Sequence, residues 1–267
     1  MINIWIDYTY PAIKHPQFGI EVKVDAPYDT TDTSLREKFQ QALLLEWIPD
    51  LREALETIQS LSTELPPQLY KLLLQEDKAS GISRLLNFVF VGELPEFAFS
   101  GSYRLELYLR PKDRQTPVHV VNSTSVFARA NPEKCAACKD RLAAGSRIRG
   151  YMPLDPFVIL YLFTQLDFTQ IPVLTDLDWL SILVKESFGT RLVKPDGTVF
   201  ASADTSIAAH RASDEVLEEA KAPELTLHSH FISFEPETHE GITAPIVKFE
   251  EPVHHGLFGE KSGWKVF

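Results

Sequence analysis

A change of hydrophobic periodicity at Ile82 constrains the fold of this chain more than any other feature. Beyond that point several short runs alternate between apolar and polar residues. The apolar positions are Phe88 and Phe90, Tyr103, Leu105, Leu107 and Leu109, Val118 and Val120, and Leu225, Leu227 and Phe231. A period of two turns one face of a strand toward a core and the other toward solvent. We therefore predict a mainly β (α+β) fold, an antiparallel β-sandwich or barrel-like domain with peripheral helices and a helical insertion.

The residues before Ile82 follow other patterns. Residues 1–33 contain short alternating runs interrupted by prolines, which is typical of linking or edge strands. A capping box at Ser34 opens a region of helical periodicity, with helices expected at 35–47, from Leu51 onward and around 69–74. We predict lead-in strands at 1–33, a helical insertion at 34–80 and a β-rich domain at 81–267.

Composition excludes several classes of function. The 267 residues carry 26 Lys and Arg against 37 Asp and Glu, a net charge of −11, and no basic run occurs. This balance repels a phosphate backbone, so we expect no nucleic-acid partner. The longest apolar run, residues 157–163, is about a third of the roughly 20 residues that a membrane span needs, so we expect no membrane partner. With two cysteines and no secretory signal at the N-terminus, we expect a reducing, cytoplasmic location.

The pair Cys135-Ala-Ala-Cys138 is the sharpest chemical motif. Asn131-Pro132 predicts a helix that runs through both cysteines to about Ala144. At positions i and i+3 the two sulfurs share one face, and the helix N-terminus favours a thiolate, as do three nearby cations. These cations are Lys134, Lys139 and Arg141.

Such a pair can bind a soft metal or cycle between dithiol and disulfide. Structural zinc normally takes four ligands and no second cysteine pair occurs, whereas Cu(I) accepts two thiolates. Two incidental surface cysteines remain an alternative.

The histidines offer weaker candidates for a metal site. His228-Ser-His230 places two imidazoles on one face of a predicted strand, and His254-His255 lies in a glycine-rich stretch. Both are equally compatible with ordinary surface positions. The chain has no HExxH, helical HxxxH, GxSxG, P-loop or GxGxxG motif, so we expect no autonomous enzyme activity.

Several stretches resemble one family. They are Val121 to Cys138, Met152-Pro-Leu154, Asp178-Trp-Leu180, the Lys194-Pro-Asp-Gly197 turn, the strand Leu225 to Phe234, and Tyr8-Thr-Tyr-Pro11. Together they resemble the C-terminal domain of fungal tyrosinases (polyphenol oxidases). The resemblance covers most of residues 85–235, and the helical insertion has no counterpart in it.

The resemblance implies a part of a latent enzyme. In that family the C-terminal domain covers the dicopper centre of the catalytic domain, and Phe127 stands at the position of the blocking aromatic residue. The resemblance also implies that Cys135 and Cys138 hold Cu(I) transiently during copper incorporation. The implied partner is a tyrosinase catalytic domain of the same precursor, through which the protein can form oligomers. Since the chain lacks a catalytic histidine set, it looks like the C-terminal portion alone.

Two alternatives from other classes stay open. One is a thiol-disulfide oxidoreductase that uses the cysteine pair. The other is a structural or interaction domain in which the cysteines are inert.

Overall fold

The computed structural model describes residues 13–14, 21–22, 53–63, 65, 67–111, 118–164, 177–203, 216–239, 242–259 and 264–267. The chain divides into two compact units, Met1–Glu53 and Ala54–Phe267. The described part of the first unit is a hairpin of β1 (Ile13–Lys14) and β2 (Glu21–Val22). The alternating run at 2–6 and the helix expected at 35–47 lie outside the described residues. The domain boundaries at 33/34 and 80/81 stay predictions.

The first large sheet is built on two long antiparallel strands. They are β4 (Ile82–Pro95) and β10 (Glu224–His239), with Leu227 opposite Phe90. Short strands extend the sheet on both sides: β3 (Leu74–Asp77) and β7 (Arg147–Pro153) pair with β4, and β11 (Ile242–Phe249) and β12 (Val253–Leu257) pair with β10.

The second sheet has the strand order β13-β9-β8-β5-β6, with all pairs antiparallel. Its strands are β5 (Tyr103–Leu109), β6 (His119–Val126), β8 (Phe188–Val193), β9 (Val199–Ser202) and β13 (Lys265–Val266). The predicted Pro-Asp-Gly turn joins β8 to β9. Gly197 adopts a φ of +87°, and its N–H donates to the carbonyl of Lys194 at 2.9 Å.

The core lies between the inner faces of these two sheets. Phe88 and Phe90 of β4, Leu105 and Leu107 of β5 and Phe188 of β8 are fully buried. The rings of Phe90 and Phe188 meet edge to face across the sheets at 5.8 Å. The predicted fold class is confirmed: the protein is mainly antiparallel β, with two packed sheets that do not close into a barrel.

Five α-helices are described, and they contribute buried residues of their own, among them Ile58, Leu69 and Val184. They are α1 (residues 53–60), α2 (Pro67–Leu73), α3 (Ala136–Ala143), α4 (Pro156–Thr164) and α5 (Leu177–Ser187). The helix expected around 69–74 is confirmed as α2, and at the start of α4 the Asp155 carboxylate accepts the N–H of Phe157 at 2.8 Å. Within the described ranges no helix has the length and apolar character needed to cross a membrane.

Candidate functional site

Phe127 stands directly after β6 and is the most exposed large apolar residue that the structure describes. Its neighbour Val126 is fully buried, whereas Phe127 itself is 82% exposed. Strand β6 lies at the edge of the second sheet, paired with β5 on one side. The last residue of the strand is therefore anchored in the core while the next one presents its ring to solvent.

The backbone that follows Phe127 is held against the connection between β4 and β5. The N–H of Ala128 donates to the Ser102 hydroxyl at 3.2 Å, and this hydroxyl also lies 3.3 Å from the Ala128 carbonyl. The Ser100 hydroxyl donates to the carbonyl of Ala130 at 3.0 Å. These bonds restrict the segment, so the exposed aromatic ring sits on a fixed backbone.

The cysteine pair does not lie on one continuous helix, and this part of the prediction is wrong. Residues Pro132–Lys134 form a single 3-10 turn, and Asn131 makes no side-chain capping bond. Cys135 has extended backbone angles (φ −131°, ψ 117°) and is the N-cap of α3, which begins one residue later. A proline start signal fits a 3-10 turn as well as an α-helix, which is why the break was missed.

The two cysteines nevertheless stay together, because an N-cap side chain faces the first turn of its helix. Cys138 occupies the third position of α3 and is buried, whereas Cys135 is partly exposed. Both thiols are free. The pair is thus accessible through Cys135, with Cys138 behind it.

The pKa of the Cys135 thiol lies below its usual value of 9.0. The largest cause is the neighbouring Cys138 side chain, followed by the Cys138 backbone N–H, and the charge of Arg129 adds a smaller effect. Although Cys135 forms no well-aligned capping hydrogen bond, these polar groups still face its sulfur. A lowered pKa makes Cys135 the more nucleophilic thiol and the readier metal ligand.

Arg141 links Cys138 to a buried carboxylate. Its guanidinium lies 3.7 Å from the Cys138 sulfur and 3.1 Å from a carboxylate oxygen of Glu96, whose side chain is only 4% exposed. The contact with Cys138, and then the charge of Glu96, raise the pKa of Arg141. Because Glu96 is far from the cysteine motif in sequence, the spacing of the cysteines does not predict its contact with Arg141.

The C-terminal end of α3 is closed by backbone hydrogen bonds. Gly145 has a φ of +62°, and its N–H donates to Leu142 at 3.1 Å while Ser146 donates to Arg141 at 3.0 Å. This is a Schellman cap, in which glycine takes the left-handed conformation at little cost. The helix that carries Cys138 is therefore short but closed at its C-terminal end.

The donor set at the cysteines fits a soft monovalent cation. Two sulfurs are neighbours, and within the described ranges no group of three His, Cys, Asp or Glu side chains surrounds a common point. A four-ligand zinc site therefore finds no support among these residues, whereas the two sulfurs suit Cu(I).

The histidine candidates are rearranged by the sheet. His228 and His230 both lie in β10, and His254 and His255 both lie in β12. The strand register places His228 directly opposite His254. His255 turns to the other face, where its Nε2 lies 2.7 Å from the Ser229 hydroxyl. The sheet therefore pairs His228 with His254, one histidine from each of the two sequence pairs.

No protein-family model matches the chain, and no curated protein matches it. Among solved structures, that of latent and active mushroom tyrosinase in a single crystal is similar to this chain at 14% identity, with a TM-score of 0.36. The similarity covers 65% of this chain and 26% of that one. A recombinant mushroom tyrosinase is similar at 13% identity with a TM-score of 0.35, covering 65% of this chain and 24% of that one.

The aligned region thus spans about a quarter of the length of the tyrosinase chains. At these scores the likeness does not assign the chain to a family.

Proposed function

We propose that this chain is the shielding domain of a latent tyrosinase, covering the dicopper centre of the catalytic domain of its precursor. The observation that carries the proposal is Phe127, which is 82% exposed directly after the buried last residue of the edge strand β6 and is followed by a backbone that Ser100 and Ser102 hold. In this proposal Phe127 blocks the substrate entrance, and Cys135 and Cys138 assist copper incorporation. The two free thiols suit a cytoplasmic, reducing location.

The exposed ring has the physical properties of a plug. Leaving a phenylalanine side chain in water forgoes about 1.5–3 kcal/mol that burial in a partner pocket recovers. A phenyl ring also has the size and shape of a phenolic substrate. Because the backbone after Phe127 is already ordered, docking costs less conformational entropy than it would for a loose loop.

The cysteine pair has the properties of a transfer site for copper cargo. Cu(I) prefers soft sulfur donors and accepts low coordination numbers, and Cys135 and Cys138 supply two such donors side by side. Exposure of Cys135 leaves the pair open to exchange with another set of ligands. The chain's own contribution is to hold the ion and to present it, while the oxidation chemistry belongs to the catalytic domain.

The plug is tested with Phe127→Gly in the chain expressed with its catalytic domain. We expect phenol oxidation before any proteolysis to rise by about tenfold or more, equivalent to roughly 1.4 kcal/mol of blocking contact. Ile182→Ala, which trims an exposed apolar residue of α5, is the matched control and should leave latency unchanged. Unchanged latency in Phe127→Gly would remove the plug from the proposal.

The copper role is tested by titrating Cu(I) into the native chain and into Cys135→Ser/Cys138→Ser. We expect one Cu(I) per native chain and none at comparable affinity in the double variant, because hydroxyls are poor ligands for a soft cation. Equal stoichiometry in the two proteins would exclude the cysteine pair as the copper site.

A thiol-disulfide oxidoreductase is the second candidate, favoured by a partly exposed Cys135 of lowered pKa in front of a buried Cys138. The Cys135 thiolate would attack a substrate disulfide and release one substrate thiol. Cys138 would then displace the second thiol, leaving a Cys135–Cys138 disulfide that a dithiol reductant resets.

Catalysed reduction of insulin by a dithiol, lost in Cys135→Ser, would support this second candidate. Cu(I) binding without such turnover would exclude it. If the chain neither binds Cu(I) nor reduces insulin, the cysteines are inert and the chain acts as a structural or interaction domain.

A further inference from the structure

The histidine pair formed across β10 and β12 is independent of the cysteine segment. His228 and His254 are direct partners in the antiparallel register, and their ring centroids lie 4.8 Å apart with the rings nearly perpendicular. Directly opposed side chains on neighbouring strands are the closest pairs that a sheet offers. His254 is exposed, and His228 is partly exposed.

The hydrogen bonds around His228 leave one of its nitrogens with a free lone pair. Its Nε2 lies 2.9 Å from the Thr226 hydroxyl, and this hydroxyl donates to the carbonyl of Val91 at 3.3 Å. With its own proton given to Val91, the hydroxyl can accept the Nε2–H, and in this tautomer the lone pair of the neutral ring is on Nδ1. A polar partner that fixes the tautomer in this way is typical of metal-ligating histidines.

His254 is less constrained. Its Nδ1 accepts the N–H of Gly256 at 3.2 Å, a weak bond. Because the side chain is exposed, the ring can turn or move its proton to Nδ1 and present Nε2 instead. A cation can therefore recruit His254 with little loss of native contacts.

The charges around the pair permit a cation. Burial lowers the pKa of His228, with smaller contributions from His254 and Arg149. Arg149 is itself paired with the Glu93 carboxylate at 2.7 and 2.9 Å, which compensates its charge. A neutral imidazole is the form that ligates metals.

Two further polar side-chain atoms lie on β4 and β10 of the same sheet. Asn87 and His230 are direct partners in the β4–β10 register, and His230 is two residues from His228. Within the part of the chain that the structure describes, Asn87 Oδ1 and His230 Nε2 are buried and have no hydrogen-bond partner. Polar atoms left unpaired in this way are uncommon in folded proteins.

We propose that His228 and His254 bind a divalent transition-metal cation of the Cu²⁺, Ni²⁺ and Zn²⁺ class, with water completing its coordination. These cations favour imidazole nitrogen, whereas Mg²⁺ favours oxygen. Since the two ligands come from different strands, the ion cross-links β12 to β10 and thereby stabilises the folded chain. The site is separate from the proposed shielding function and holds whether or not that function is correct.

The test uses the tag-free chain carrying Cys135→Ser/Cys138→Ser, so that thiols do not compete. Ni²⁺ is titrated by calorimetry, and Tm is recorded with and without the ion. We expect one Ni²⁺ per chain and, at about one hundred times the Kd, a Tm roughly 5–10 °C higher. His228→Asn and His254→Asn should each abolish the shift, while His119→Asn in β6 should retain it.

Each outcome decides the proposal. Loss of the Ni²⁺ effect in both variants, with no effect of Mg²⁺ on the parent, supports it. His254 is exposed, so a folded His254→Asn protein that still binds Ni²⁺ with unchanged affinity overturns it. An equal Tm shift with Mg²⁺, or loss of the shift in His119→Asn, overturns it as well.

Discussion

The cysteine segment and the histidine pair are built in opposite ways. Cys135 and Cys138 lie within one turn of chain, and their proximity follows from the first turn of α3. His228 and His254 are 26 residues apart in sequence and meet only because β12 pairs with β10. The first arrangement is local and the second depends on the whole sheet. The two candidate sites should therefore respond differently to loss of the fold.

The largest expected effect comes from removing the ring at the centre of the core. Phe90→Ala should lower the free energy of unfolding by about 3–5 kcal/mol, since the side chain is fully buried against Phe188. In urea that unfolds this variant but not the parent, Ni²⁺ binding by the histidine pair should disappear while the cysteine pair still binds Cu(I). Parallel loss of both would show that the cysteine site also depends on the fold.

The next largest effect comes from the contact between Arg141 and Glu96, which should matter for the cysteine segment and not for the histidine pair. Arg141→Leu leaves the Glu96 carboxylate buried without its partner and should lower the free energy of unfolding, by a modest amount because the Arg141 side chain is 54% exposed. Urea unfolding measures the loss, and Glu96→Gln/Arg141→Leu should recover part of it. Ni²⁺ binding at the histidine pair should not change, and a weaker affinity there would argue that the sites are coupled.

The cysteines themselves should differ in reactivity. Cys135 is partly exposed with a lowered pKa, whereas Cys138 is buried, so iodoacetamide should modify Cys135 at least about tenfold faster at pH 7.5. Peptide mapping by mass spectrometry over time gives the two rates. Similar rates would mean that the segment opens readily and that Cys138 is not protected by α3.

The smallest effect is the dependence of stability on pH. Burial lowers the pKa of His230 below its usual value of 6.5, and burial is also the first cause of the lowered pKa of His228 and His255. The unfolded chain therefore takes up protons that the folded chain resists. The contribution of these neutral histidines to the free energy of unfolding is therefore fully present above pH 6.5. It decreases as the pH falls below that value.

Urea unfolding at pH 7.5 and 5.5 checks this trend. His230→Asn should show a smaller decrease than the parent, and His119→Asn an unchanged one. Stability that rises on acidification in the parent would contradict the assigned direction of these shifts.

Local signals account for what the sequence predicted well. The strands at Phe88–Phe90 and Tyr103–Leu109, the helix around 69–74 and the Gly197 turn each depend on neighbouring residues, and each is confirmed. Contacts between residues that are far apart in sequence leave no comparable pattern in the sequence. The contact of Arg141 with Glu96 and the register of His228 with His254, which follows an irregularity after Thr226, are set by the packed sheets.

We propose that one segment, from Phe127 to Cys138, both closes a tyrosinase site and assists copper incorporation. The most direct measurement is phenol oxidation by the chain expressed with its catalytic domain, at increasing copper supply, in Phe127→Gly with and without Cys135→Ser/Cys138→Ser. We predict that Phe127→Gly is active without proteolysis at low copper, and that the triple variant reaches the same activity only at higher copper. Latency retained in Phe127→Gly, or identical copper dependence of both variants, would contradict the claim.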